Sequence, residues 1–253
     1  MRAVSPEALP RTVSAAVWRA DMLGAQLSAV VSSGWPRLDE QLPGNGWPCR
    51  SLTEVLGAQP SVLEWRLVGP SLRGVVEQGK TVVVIGPPKR PHLPGLIHCG
   101  LDERHCVWIS AATPAERLWC TEQLVKANAA GAVLAWLPQV RPEQVRRLQV
   151  CAQGCEAPVF LFRPMAAATE ASAAPLRVQA TLRGEWSLEV RILKRRGALF
   201  DTPLVLDSVP GGLGAVLTPR LARPGTSLSR EVAADVMGSN VIALRERQPL
   251  GAN

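Results

Sequence analysis

The sequence predicts an α/β fold, a mostly parallel sheet flanked by helices and followed by a C-terminal antiparallel hairpin. Three observations carry that prediction. Beyond Gly57, short runs of nearly continuous apolar residues alternate with helical stretches, the pattern of strands buried on both faces. After Pro175 the pattern changes to polar/apolar alternation, which marks strands with one solvated face. The 253-residue chain, 47% hydrophobic and 19% charged, has the composition of a globular protein and the length to bury a substantial core.

Taken in order, a helix is predicted from about Ser61 to Gln78 and a strand at Thr81 to Ile85. A proline-rich turn, GPPKRPHLP, precedes a short helix near Gly95 to Leu101 and a strand at Cys106 to Ser110. Thr113-Pro-Ala-Glu116 reads as a capping box with proline at the first helical position, opening a helix to about Asn128. AVLAWLP follows as a strand, RPEQVRRLQVCAQGC as a helix and PVFLFRP as a strand. Met165 to Ala174 is a loop of small residues. RVQATLRG and WSLEVRILKRR, separated by Gly184-Glu185, form the hairpin, and TPLVLDS adds an edge strand. Residues 1–45 are expected to be an N-terminal helix and arm, 46–208 the core, and 209–253 a flexible tail rich in glycine, proline and serine.

Gly79-Lys80-Thr81 are the letters that end a nucleotide-binding P-loop, but their context is reversed. A P-loop follows a strand and opens a helix, whereas these residues leave a helix and precede a strand. Gly79 is expected as a helix C-cap and Lys80 as a solvated charge.

The formal charge of +7 favours an acidic partner, although only RILKRRG (Arg191 to Gly197) and RPEQVRR (Arg141 to Arg147) concentrate it locally. No apolar run reaches the roughly 18 residues a membrane helix needs. The N-terminal stretch is broken by prolines and charges and has no signal-peptide core, so a cytoplasmic protein is expected. The six cysteines are therefore expected as reduced thiols packed like small hydrophobes. The sharper alternative, a metal site from His98-Cys99 and His105-Cys106 with Cys151 and Cys155, lacks any C-x-x-C pair. Most of the eight tryptophans are expected in the core.

SSGWPRLDEQLPGNGWPCRSLTEVLG, ahead of the alternating region, resembles the segment that leads into the RecA core, with Gly34, Leu38, Asp39, Leu42, Gly44, Gly46, Pro48, Leu52, Glu54 and Gly57 at matching places. VWRAD.L, LD..LPG.GWP...LTE.L and LKRRG are similar to the ImuA family, RecA-like proteins associated with mutagenic translesion synthesis. The resemblance runs from Val17 to about Ser208.

That resemblance implies a RecA-like fold whose phosphate loop begins at Gly57, and there the loop is degenerate. Val62, Leu63 and Glu64 stand at the places of the second glycine, the lysine and the threonine. The loop has no cation for the phosphates and no hydroxyl for Mg²⁺, and Glu64 adds negative charge. The metal-supporting aspartate is replaced by Trp136 or Leu137, and the water-activating acid by Gly86-Pro87-Pro88. Loss of one electrostatic group commonly costs about 10² to 10³ in rate. A protein without catalysis, cofactor or resident metal is the expectation.

For partners, the resemblance implies the ImuB-type Y-family polymerase-like protein, RecA and, indirectly, an error-prone replicative-type polymerase subunit. Trp18, Arg19, Met22 and Leu23 on the N-terminal helix are the candidate docking residues. Arg191, Lys194, Arg195 and Arg196 are candidates for contact with a partner or, weakly and without sequence preference, with DNA. The loop after PVFLFRP carries Arg163 as its one base and no aromatic residue, a poor strand-tracking surface. A divergent ATPase and a SulA-like cell-division inhibitor acting on FtsZ are the rival readings.

Overall fold

The computed structural model describes residues 29–58, 63–89, 93–98, 100–184, 186–198 and 200–209. Trp18, Arg19, Met22, Leu23, Val62, Cys99 and the tail from Pro210 onward lie outside the described residues.

The chain forms β1 (Val30–Val31), α1 (Pro36–Asp39), β2 (Trp47–Pro48), β3 (Leu52–Gly57), α2 (Leu63–Glu77), β4 (Val82–Ile85) and α3 (Leu93–His98). It continues through β5 (Cys106–Ile109), α4 (Pro114–Ala127), β6 (Ala132–Trp136), α5 (Pro142–Ala152), β7 (Val159–Pro164), β8 (Leu176–Arg183), β9 (Ser187–Lys194) and β10 (Leu204–Asp207). An eight-stranded sheet runs in the order β10-β9-β8-β3-β7-β6-β4-β5. Strands β8, β3, β7, β6, β4 and β5 are parallel, while β9 and β10 add antiparallel to β8. A separate two-stranded ribbon pairs β1 with β2. The α/β architecture, the hairpin and the edge strand all form as the alternation predicts.

The two faces of the sheet build two apolar layers. Leu67, Leu72, Val82, Val84, Leu134, Phe160 and Val178 pack together on the side of α2. Leu52, Ile85, Val133, Leu148, Val159 and Leu161 do so on the side of α4 and α5. This double burial is why β4 and β6 read as unbroken apolar runs.

Gly34, Leu38, Asp39 and Leu42 of the lead-in segment acquire structural reasons. Asp39 accepts a hydrogen bond from the Ser33 backbone N–H at 2.8 Å and from Ser32 Oγ at 2.7 Å, closing the turn around Gly34. Gly34 sits at φ +77°, and a Cβ there would lie 2.5 Å from Pro70 Cβ of α2, so only glycine fits. The neighbouring Trp35 indole N–H donates to the Leu67 carbonyl at 2.9 Å. Leu38 and Leu42 are buried in the layer beneath α2. Together these contacts clamp the lead-in onto α2 where Pro70, inside the helix, has no N–H to offer.

Gly79 ends α2 at φ +71°, with its N–H on the Val76 carbonyl and the Lys80 N–H on that of Val75. Lys80 is exposed, so these residues behave as a helix stop and a solvated charge. The capping box of α4 also forms: Glu116 N–H donates to Thr113 Oγ1 at 3.2 Å, and the Thr113 N–H to Glu116 Oε2 at 3.1 Å.

Two expectations need correction. Met165–Thr169 is a 3₁₀ turn rather than irregular loop. The tryptophans are less uniformly buried than expected. Trp47 and Trp136 are core residues, but Trp108 and Trp119 are 40% and 63% exposed. Trp108 lies on the edge strand β5, and Trp119 on the outer side of α4, where no further layer among the described residues covers them.

Candidate functional site

In open α/β sheets ligands bind outside the carboxyl ends of the strands. Here that edge carries Gly57 of β3, Trp136 of β6 and the start of α2. Leu63 and Glu64 occupy the first turn of α2 and are 1% and 5% exposed. Leu63 Cδ1 stands 3.4 Å from where a Cβ on Gly57 would be, so an apolar side chain covers the glycine. Trp136, 3% exposed, donates its indole N–H to Glu64 Oε1 at 2.9 Å. Its ring packs on Phe162 at 4.4 Å between centroids and on Trp65 at 5.8 Å.

A helix N-terminus concentrates positive potential and favours an anion. Glu64 places a carboxylate in the first turn of α2, so the helix supplies its own negative charge. The indole of Trp136 fills the neighbouring space and satisfies that carboxylate. Neither side chain supplies a cation or a hydroxyl.

The turn after β4 is similarly occupied. Gly86 has φ +57°, and a Cβ there would lie 2.6 Å from Arg117 Cδ. The Arg117 side chain therefore runs across Gly86, with Nε donating to the Ala111 carbonyl at 3.0 Å. A guanidinium covers the turn that Gly86-Pro87-Pro88 forms.

A second polar cluster lies under the 3₁₀ turn. Glu54 of β3 is fully buried and is bridged by Arg177 Nε of β8 at 2.6 Å and Arg163 NH1 of β7 at 3.2 Å. Arg163 NH2 also meets Glu170 at 2.6 Å and the Val140 carbonyl at 3.1 Å. Arg177 donates to the carbonyls of Ala167, Ala168 and Glu170. Two carboxylates balance two guanidiniums, and Arg177 ties the turn down through its carbonyls. Arg163 is consequently a buried structural cation, 2% exposed in its side chain, and not a base offered by a loop. Sequence reading missed this cluster. The signal was there, a lone acid inside the apolar strand LTEVL, which requires a buried counter-charge.

The C-terminal basic run is divided by the hairpin. Arg191 is 53% exposed in its side chain and pairs with Glu189 at 3.1 Å. Lys194 Nζ donates to the Ser172 carbonyl at 2.8 Å while remaining exposed. Arg195 is tied to the Gln41 and Ala198 carbonyls and lies over the Phe200 ring at 5.5 Å. Arg196 is exposed. Arg195 thus fastens the hairpin to the lead-in segment, leaving Arg191, Lys194 and Arg196 as the accessible charges of the run.

Cys49 and Cys155 are buried, and burial raises both thiols, Cys49 to about 11. Such protonated thiols are poor nucleophiles and poor metal ligands at neutral pH. Among the described residues no group of three or more His, Cys, Asp or Glu side chains is placed to hold a metal ion. No described helix is long and apolar enough to cross a membrane.

No protein-family model matches the chain. It is 29% identical over 128 residues to the cell division inhibitor SulA of Edwardsiella piscicida, an alignment covering 51% of this chain and 75% of the relative.

Proposed function

We propose that this chain is a non-catalytic, RecA-like accessory protein of the DNA-damage response, acting in mutagenic translesion synthesis by docking to an ImuB-type polymerase-like protein and to RecA. The observation that carries the reading is the Glu64–Trp136 hydrogen bond. At the positions that the RecA resemblance assigns to Mg²⁺ and phosphate chemistry, a buried carboxylate and an indole satisfy each other. The similarity to SulA supports a place in the response to DNA damage. The lead-in motif supports a core kept for its shape, since Gly34, Leu38, Asp39 and Glu54 serve packing and ion pairing. On this reading the protein acts in the cytoplasm, an error-prone replicative polymerase subunit is reached indirectly, and neither nucleotide nor metal takes part.

The test is calorimetry and pull-down of the full chain against RecA and an ImuB-type partner, with and without ATP, for wild type and Trp18→Ala. Nucleotide-independent binding, weakened by the substitution, is the expected result and assigns docking to the N-terminal helix. A rise in melting temperature with ATP, and no affinity for either protein, overturns the reading in favour of a divergent ATPase.

The similarity to the cell division inhibitor favours a second reading, direct action on FtsZ. Inhibition of FtsZ polymerisation by the purified chain, without binding to RecA or the ImuB-type protein, establishes it instead.

A further inference from the structure

A cleft of about 470 Å³ opens at the carboxyl edge of the sheet, beside the closed Glu64–Trp136 contact. The turn entering α4, the first turn of α4, the 137–141 connection and the start of α5 form its walls. Its volume falls in the range of sites that hold side chains or small ligands. Apolar residues, Ala112, Pro114, Leu118, Leu137 and Val140 among them, line it together with polar groups.

Its charge is one-sided. Among the described residues, Arg117 and Arg141 are the charged groups that line the cleft, and no acidic residue does. Arg117 uses Nε on the Ala111 carbonyl, and no hydrogen bond to its terminal nitrogens occurs among the described residues. The exposed Arg141 guanidinium likewise makes no ion pair among the described residues. The nearby carboxylate of Glu116 is turned onto the backbone N–H groups of Ala112 and Thr113, at 2.9 and 3.1 Å. One helical turn beyond Ala115 on α4 stands Trp119, the most exposed large apolar side chain among the described residues. Exposed tryptophan and unpaired arginine are the residue types enriched among binding hot spots.

We propose that this cleft is a docking site for an acidic, apolar peptide segment of a partner protein. An apolar side chain seats on the Leu137–Val140 floor while flanking carboxylates meet Arg117 and Arg141. The apolar part of the lining favours a peptide over a nucleic-acid backbone, because phosphates gain nothing from Ala112, Pro114 and Leu137, and the ring within the lining, Trp136, is buried. No hairpin residue lines the cleft, and its docking role does not depend on which repair protein the chain serves.

The probe is a fluorescein-labelled decapeptide alternating Asp and Glu with Leu and Phe, titrated against the full chain by anisotropy. Controls are the same peptide with Lys for the acids, the same with Gly for Leu and Phe, and a labelled thymidine 20-mer. Saturable binding of the first peptide is expected, with at least a tenfold weaker affinity for either control peptide. Arg141→Glu weakens binding at least tenfold. It places an acid at the start of α5, which the helix tolerates. Arg183→Glu makes the same charge change on the hairpin, at a residue that does not line the cleft, and leaves binding within about twofold. The proposal is overturned if the peptide does not saturate, if the two variants weaken it equally, or if the thymidine oligomer binds with the Arg141 dependence and the peptide does not.

Discussion

The indole N–H of Trp136 donates to Glu64 Oε1 across 2.9 Å, joining the end of β6 to the first turn of α2 where both residues are almost wholly buried. Trp136→Phe removes this hydrogen bond and part of the packing around it, and is expected to lower stability by about 1–3 kcal/mol. Glu64→Gln keeps an acceptor and should cost about 1 kcal/mol or less. Urea denaturation of the two variants checks the order.

The fully buried Glu54 predicts a larger effect. Removing it leaves Arg163 and Arg177 facing each other without their shared counter-charge. Glu54→Ala is expected to destabilise by about 3–5 kcal/mol, the range for breaking a buried pair from one side. Simultaneous replacement of Glu54, Arg163 and Arg177 by apolar residues should recover much of that loss, because no charge is then stranded. Thermal denaturation of the single and triple variants distinguishes these outcomes.

Gly34 and Gly79 share a left-handed backbone but differ in surroundings. A Cβ at Gly79 meets nothing within 4 Å, so Gly79→Ala should cost only the backbone penalty of about 1–2 kcal/mol. At Gly34 the same methyl overlaps Pro70 at 2.5 Å. Gly34→Ala must therefore exceed the Gly79 cost, and equal melting temperatures for the two variants would refute the clamp on α2.

Alkaline pH should unfold the protein through its buried thiols. The folded-state value of Cys49 is raised from 9.0 to about 11, chiefly by burial. Below about pH 9 both states hold the proton and stability is unaffected. Above it the unfolded state ionises first, so stability falls between pH 9 and 11 by on the order of 2–3 kcal/mol. Cys49→Ala should flatten that part of the stability profile.

Sequence by itself determined the element order, because the information is local. Apolar runs bounded by turn residues marked β4, β6 and β7, the Thr113–Glu116 spacing marked the start of α4, and Gly79 marked the end of α2. That positions 63 and 64 hold neither lysine nor threonine, and 136 and 137 no aspartate, was equally local. Tertiary structure alone decided what the side chains at those positions do. Residues 64 and 136 are 72 positions apart, and Glu54 and Arg177 are 123 apart. Only the strand order, which lays β8 and β7 on either side of β3 and places β6 beyond β7, brings their side chains together. The fates of the charged residues followed the same logic. Arg163 read as a loop base and Arg195 as a candidate contact residue, yet each is a fastening in the fold, as is Arg177. Arg117 and Arg141 fall within local sequence that marked only two helix starts, and packing turned them toward one cleft. A charge's role depends on which distant groups share its desolvated space, and no local pattern carries that.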